Sequence, residues 1–189
     1  MRNLLILWDW DNTLNDTSAM IFKSLQETAE HYDAPMPTKH DLREVLSQHK
    51  GAYWERTYAS DTQEAMDYYL NRFSANHLEA RLFPEAKEIL TFVHQSKTAQ
   101  LIISNKRKDL LKDEIEQANI KHLIDGYIGA DNAFSKIKPM PNYGAEVIAQ
   151  IPHEQLLMIG DGTCDMEYAQ AIGAIGVYIR AKEEVESYI

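Results

Sequence analysis

Carboxylates that follow directly on apolar runs are the residues here best placed to do chemistry. Asp9 and Asp11 come after Leu4-Leu5-Ile6-Leu7-Trp8, and Asp161 comes after Leu156-Leu157-Met158-Ile159-Gly160. Ser104-Asn105 ends a third run, Leu101-Ile102-Ile103, and Asp165 stands four residues beyond Asp161. Carboxylates brought to one place repel each other unless a cation or a lysine intervenes. Oxygen ligands of this kind, with no histidine beside them, suit Mg²⁺.

Such a site needs elements that bring distant residues together. A continuous apolar run that ends in an acidic turn reads as a buried central strand of a parallel sheet. Ile175-Gly176-Val177-Tyr178-Ile179 is a further short run of this type. Helical patterns lie between the runs, at Pro84–Ser96, Arg107–Ala118, Asn142–Gln150 and Cys164–Ile172. Strands alternating with helices predict an α/β fold, a Rossmann-like parallel sheet covered on both faces. In open parallel sheets ligands collect beyond the C-terminal strand ends, where these polar residues fall.

Residues 15–83 differ. Their apolar residues recur at helical spacing, Thr38-x-x-Asp41 and Ser60-x-x-Gln63 have the form of helix N-terminal boxes, and Pro35, Pro37 and Gly51 separate segments. The expectation is a helical insertion over 15–83 in a core formed by 1–14 and 84–189.

Composition narrows the function. A chain of 189 residues fits one domain with a modest insertion. Its formal net charge of −10 argues against nucleic acid and anionic membrane surfaces as partners, since phosphate-backbone binding needs clustered Lys and Arg. No stretch approaches the length of a membrane span, the apolar N-terminal run is too short for a signal peptide, and the cytoplasm is the default expectation. The lone Cys164 allows neither an internal disulfide nor a cysteine-rich zinc site.

Taken in order, the motifs resemble those of the haloacid-dehalogenase superfamily. Asp9-Trp10-Asp11-Asn12-Thr13-Leu14 is similar to its D-x-D-x-T-L motif, Ser104-Asn105 to its second motif and Lys138-Pro139 to its third. Gly160-Asp161-Gly162-Thr163-Cys164-Asp165 is similar to its fourth. The insertion stands where the family carries a helical C1 cap. Ser-Asn-Lys at 104–106 and Lys-Pro-Met-Pro at 138–141 resemble the phosphoglycolate-phosphatase and β-phosphoglucomutase branch.

The resemblance implies a Mg²⁺-dependent phosphatase acting on a small phosphorylated metabolite. Asp9 is then the nucleophile that forms an aspartyl-phosphate, and Asp11 the acid and base for leaving alcohol and water. It implies that Mg²⁺ is held by the Asp9 carboxylate, the Asp11 backbone carbonyl and Asp161. Ser104, Lys138 and the Asn105 N–H, at a helix start, would hold the phosphoryl oxygens, and Asp165 would fix Lys138 or a metal-bound water. Asp11 favours phosphate-ester chemistry over carbon–halogen cleavage, because an alcohol leaving group needs a proton.

A phosphomutase shares every one of these residues, and a non-catalytic binding module could retain the fold. Trp10 and Asn12 depart from the commonest pattern: Asn tolerates turn conformations, while the bulk of Trp10 could crowd the cap interface. His49-Lys50-Gly51 is the candidate polar turn for substrate choice, with Lys50 and Gly51 as specificity residues. Lys106 and Arg107 read either as binders of a substrate carboxylate or as helix-surface charge. Tyr53, Trp54, Tyr58, Tyr68 and Tyr69 are expected to pack the insertion's own core.

Overall fold

The structure, a computed structural model, describes residues 4–46, 50–131 and 137–179. Its core is a parallel sheet in the order β5-β4-β1-β6-β7. The strands are β1 (Leu4–Trp8), β4 (Ala99–Arg107), β5 (Gly126–Ala130), β6 (Gln155–Gly160) and β7 (Ile175–Tyr178). β1 pairs with β4 on one side and β6 on the other. The chain winds outward in both directions from β1, so the crevice beyond its C-terminal end is the switch point where such sheets collect ligands.

The apolar runs form strands because both faces of the sheet are covered. Ile6, Trp8 and Ile102 pack on one face with Leu90 and Val93 of α5 (Ala86–Gln95) and Leu111 and Ile115 of α6 (Lys108–Gln117). Leu5, Leu7, Leu101, Ile103 and Met158 pack on the other, with Ile148 of α7 (Ala145–Ile148) and Tyr168 of α8 (Thr163–Ala171). One polar side chain is sewn into the first layer. Gln100 accepts from the Trp8 indole at 3.0 Å and donates to the carbonyls of Leu90 and Leu123, each at 2.8 Å.

The chain divides into two compact units, one containing 4–16 and 81–179 and the other 17–80. β2 (Asn15–Asp16) pairs antiparallel with β3 (Arg81–Leu82), so residues 15–16 and 81–83 group with the sheet and not with the expected insertion. Strand pairing overrides the helical pattern at these margins.

The second unit is helical: α1 (Ser18–His31), α2 (Lys39–Leu46), α3 (Lys50–Tyr58) and α4 (Thr62–Asn76). Ile21, Leu25, Leu42, Tyr53, Trp54, Tyr58 and Ala65 form its core, with Tyr69 and Phe73 against them. The Thr38–Asp41 box forms: Thr38 N–H donates to Asp41 at 2.7 Å and Asp41 N–H returns to the Thr38 hydroxyl at 3.3 Å. The Ser60–Gln63 box does not. A short 3-10 turn over Ala59–Asp61 moves the start of α4 to Thr62, whose hydroxyl donates to the Ala59 carbonyl at 2.7 Å.

Candidate active site

Register brings the polar strand ends together. Trp8 lies opposite Ile102 of β4 and Ile159 of β6, and the Asp9 N–H donates to the Ile159 carbonyl at 2.8 Å. Asp9, Ser104 and Asp161 therefore leave the same sheet edge from three adjacent strands. After Asp9 the chain turns tightly: the Trp10 carbonyl accepts from Thr13, Leu14 and Asn15 N–H groups. Asn12 takes a φ of 58° in that turn, a left-handed value that Asn accommodates better than most side chains.

Asp9 and Lys138 are buried at the centre. The Lys138 ammonium lies 2.5 Å from Asp9 Oδ1 and 2.5 Å from Asp165 Oδ1. Asp165 Oδ2 accepts from the Gly162 N–H at 3.0 Å, so α8 presents this carboxylate backward from its first turn. A Cβ on Gly160 would come within 2.3 Å of Asp165 Oδ2, so only glycine leaves room for the carboxylate. The Thr13 hydroxyl lies 3.2 Å from Asp9 Oδ2 and 3.4 Å from Asp161 Oδ1.

Asn105 clamps the loop that carries Lys138. Its side-chain Oδ1 accepts from the Lys138 N–H at 2.8 Å, and its Nδ2 donates to the Lys138 carbonyl at 3.2 Å. β4 continues to Arg107 and α6 begins only at Lys108, so the expected helix start at Asn105 is not there. The Ser104 Oγ instead accepts from the Lys106 N–H at 3.1 Å, and the Ser104 carbonyl accepts from the Tyr143 hydroxyl at 2.6 Å.

The electrostatics call for more positive charge. Burial pushes Asp9 up to about 7 against the pull of Lys138, with Asp165 adding to the rise. Burial, then the charge of Asp165, pushes Asp161 up to about 6. Burial acts to lower Lys138, but Asp9 and Asp165 outweigh it and leave it raised. One ammonium therefore serves three carboxylates.

Oxygens of Asp9, Asp161 and Asp165 all lie within 4.8 Å of one another, close enough to share an ion. Lys138 and the Gly162 N–H take the two Asp165 oxygens, as Lys138 and the Thr13 hydroxyl take the two of Asp9, so all three carboxylates stand within reach of one cation and of Lys138. An oxygen-only donor set with excess negative charge fits a hard divalent cation.

The surroundings of Asp11 were not visible in the sequence. Its Oδ1 is 2.7 Å from the Lys106 ammonium, a contact of charge without good hydrogen-bond direction. Lys106 is buried and also donates to both Glu114 carboxylate oxygens at 2.7 Å. Glu114 Oε2 accepts from the Trp10 indole at 2.5 Å and the Asn15 amide at 3.2 Å. Trp10 is wholly buried in the sheet's core and anchors the turn from beneath, which removes it from the expected crowding role. Lys106 is neither helix-surface charge nor an exposed substrate binder, because Glu114 and Asp11 compensate it inside; Arg107 is exposed and pairs with Asp109. Glu114 could have been noticed, since it shares the apolar face of α6 with Leu110, Leu111 and Ile115.

Lys50 and Gly51 open α3 in the helical unit and do not form the expected turn; His49 lies outside the described residues. Cys164 is half-buried with its thiol raised by burial, in keeping with a passive position.

A parallel α/β sheet with buried carboxylates and a lysine at its switch point defines a class, the Rossmann-like α/β proteins with an acidic site at their strand ends. Residues 6–178 match the family described as haloacid dehalogenase-like hydrolase, and the chain belongs to that family. It is 25% identical over 187 residues to a phosphoglycolate phosphatase of Vibrio parahaemolyticus, covering 89% of this chain and 80% of that one. A phosphoglycolate phosphatase of Vibrio cholerae is 33% identical over 100 residues, 51% of this chain and 43% of that protein. Among solved structures, a haloacid dehalogenase-like hydrolase of Streptococcus pneumoniae superposes with a TM-score of 0.79 at 23% identity, covering 97% of this chain and 90% of that one.

Proposed function

We propose that this hydrolase is a Mg²⁺-dependent phosphatase, cleaving the phosphate monoester of a small anionic metabolite through an aspartyl-phosphate on Asp9. The observation that carries this reading is the buried Asp9 carboxylate, held by Lys138 beside Asp161 and Asp165 at the end of the central strand. The phosphatases among its relatives support the same class of substrate, and phosphoglycolate is the first metabolite to try.

Asp9 and Asp161, with the Asp11 carbonyl, would hold the cation, which supplies charge that lets an anionic nucleophile approach an anionic phosphate. Asp9 attacks phosphorus as the bond to the leaving oxygen breaks, and that oxygen takes a proton from the Asp11 carboxyl. Water then attacks the phosphorus of the aspartyl-phosphate and gives its proton to the Asp11 carboxylate. Phosphate leaves, and Asp9 and Asp11 return to their starting forms. Lys138, Ser104 and the Asn105 N–H steady the phosphoryl oxygens, while Asp165 and the Asn105 side chain hold Lys138 in place.

Phosphate release from an aryl phosphate and from phosphoglycolate tests the reading. Activity should need Mg²⁺ and vanish with chelator, and Asp9→Asn should abolish it. Asp11→Asn should still trap phosphoenzyme from the aryl substrate while turning over slowly. Turnover by Asp9→Asn at the wild-type rate would sink the assignment.

A further inference from the structure

We infer that Lys106, fixed by Glu114, is a positioning residue that aims the Asp11 carboxylate for the water-activating half of the reaction. The inference rests on the reading of Asp11 as that base. Three facts carry it. Lys106 is a buried cation at the end of β4, where a buried ammonium requires carboxylate partners. Its partners are Glu114 at 2.7 Å through both oxygens and Asp11 Oδ1 at 2.7 Å. Glu114 also holds Trp10 and Asn15, which flank the Asp11 turn on either side, so one carboxylate on α6 fixes both the turn and the lysine that faces it.

The consequence is geometric. With Oδ1 drawn to Lys106, Oδ2 is the oxygen presented for proton transfer. Water attacking the aspartyl-phosphate loses its proton to that oxygen as its lone pair forms the new O–P bond, and the P–O bond to Asp9 breaks with its electron pair returning to the Asp9 carboxylate. A wandering Asp11 would leave phosphorylation by an aryl phosphate largely intact, since a phenolate-type leaving group needs little help from an acid. Dephosphorylation would slow, because water needs a placed base.

The test separates the two half-reactions with an aryl phosphate and Mg²⁺, measuring steady-state turnover and the phosphoenzyme fraction after rapid quench. Lys106→Met should lower kcat by roughly ten- to a hundred-fold while the phosphoenzyme fraction rises. Lys106→Arg, which keeps the cation, should restore much of both. Since Lys106→Met leaves Glu114 buried without its ammonium, Lys106→Met/Glu114→Gln is made alongside it and followed by thermal melting.

A double variant that melts cooperatively, turns over slowly and accumulates phosphoenzyme supports the inference. Slow turnover without accumulation, wild-type turnover, or loss of cooperative melting in the double variant overturns it and leaves Lys106 a structural residue. Asp11→Asn serves as the control for the underlying reading. If it fails to accumulate phosphoenzyme, the base role of Asp11 falls, and this inference with it; if it accumulates and the lysine variants do not, only the inference falls.

Discussion

Gly160 and Asp165 act as a pair at the scale of single residues. A methyl group at 160 would stand 2.3 Å from Asp165 Oδ2, and Asp165 is one of the two carboxylates that hold the Lys138 ammonium. Gly160→Ala should therefore displace Asp165 and misplace Lys138, lowering kcat/KM by roughly ten- to a hundred-fold, as misplacement of a phosphate-binding group does. Wild-type kinetics in that variant would show that the carboxylate can be moved without cost. Lys138→Ala should depress catalysis while strengthening metal binding, because the cation then alone compensates Asp9, Asp161 and Asp165. Mg²⁺ titration of the variant by calorimetry checks this, and weaker binding than wild type would contradict it.

Gln100 is the clearest stitch between elements. It joins β1 through Trp8, α5 through the Leu90 carbonyl, and the segment after α6 through the Leu123 carbonyl. A residue of similar volume without polar atoms would leave a buried indole N–H and two buried carbonyls without this partner. Each orphaned group costs about 1–3 kcal/mol, so Gln100→Leu should lose roughly 3 kcal/mol in urea unfolding, most of it without effect on the residual native activity. A loss below about 1 kcal/mol would mean that the neighbours re-pair.

Two carboxylates of the sheet unit contribute a pH dependence to the stability of the whole molecule. Asp9 and Asp161 are raised to about 7 and about 6, above their ordinary 3.8. Between those values and the unfolded one, the native state binds protons that the unfolded chain does not. Stability should therefore rise as pH falls from about 8 toward 5 in metal-free protein, the opposite of the usual paired-carboxylate behaviour. Mg²⁺ bound to the same carboxylates should favour their charged forms and add stability preferentially at the upper end. Thermal melts at pH 8 and pH 5.5, with and without Mg²⁺, test this. A metal-free melting temperature that falls steadily over that range would show that other groups dominate.

The chain by itself determined the strand runs, the order of the polar motifs and the helical character of most of 15–83, because burial on both faces and helical spacing leave direct marks in residue type. β5 escaped notice because Gly126-Tyr-Ile-Gly-Ala is broken by glycines and carries no long apolar run, and it is a strand through pairing with β4. Asn15–Asp16 and Arg81–Leu82 are polar and short, and only their meeting makes them strands. The polar sheet ends likewise foretold a shared edge, but partner choice within it belonged to the fold. Lys106 read as one of two neighbouring basic residues, and Trp10 as a bulky departure from pattern. Only tertiary packing buries both against Glu114, which lies 104 residues from Trp10 along the chain. Which carboxylate a buried lysine meets depends on how β4, α6 and the first turn close on one another, and the free-energy cost of leaving that ammonium unpaired is paid or avoided only in three dimensions.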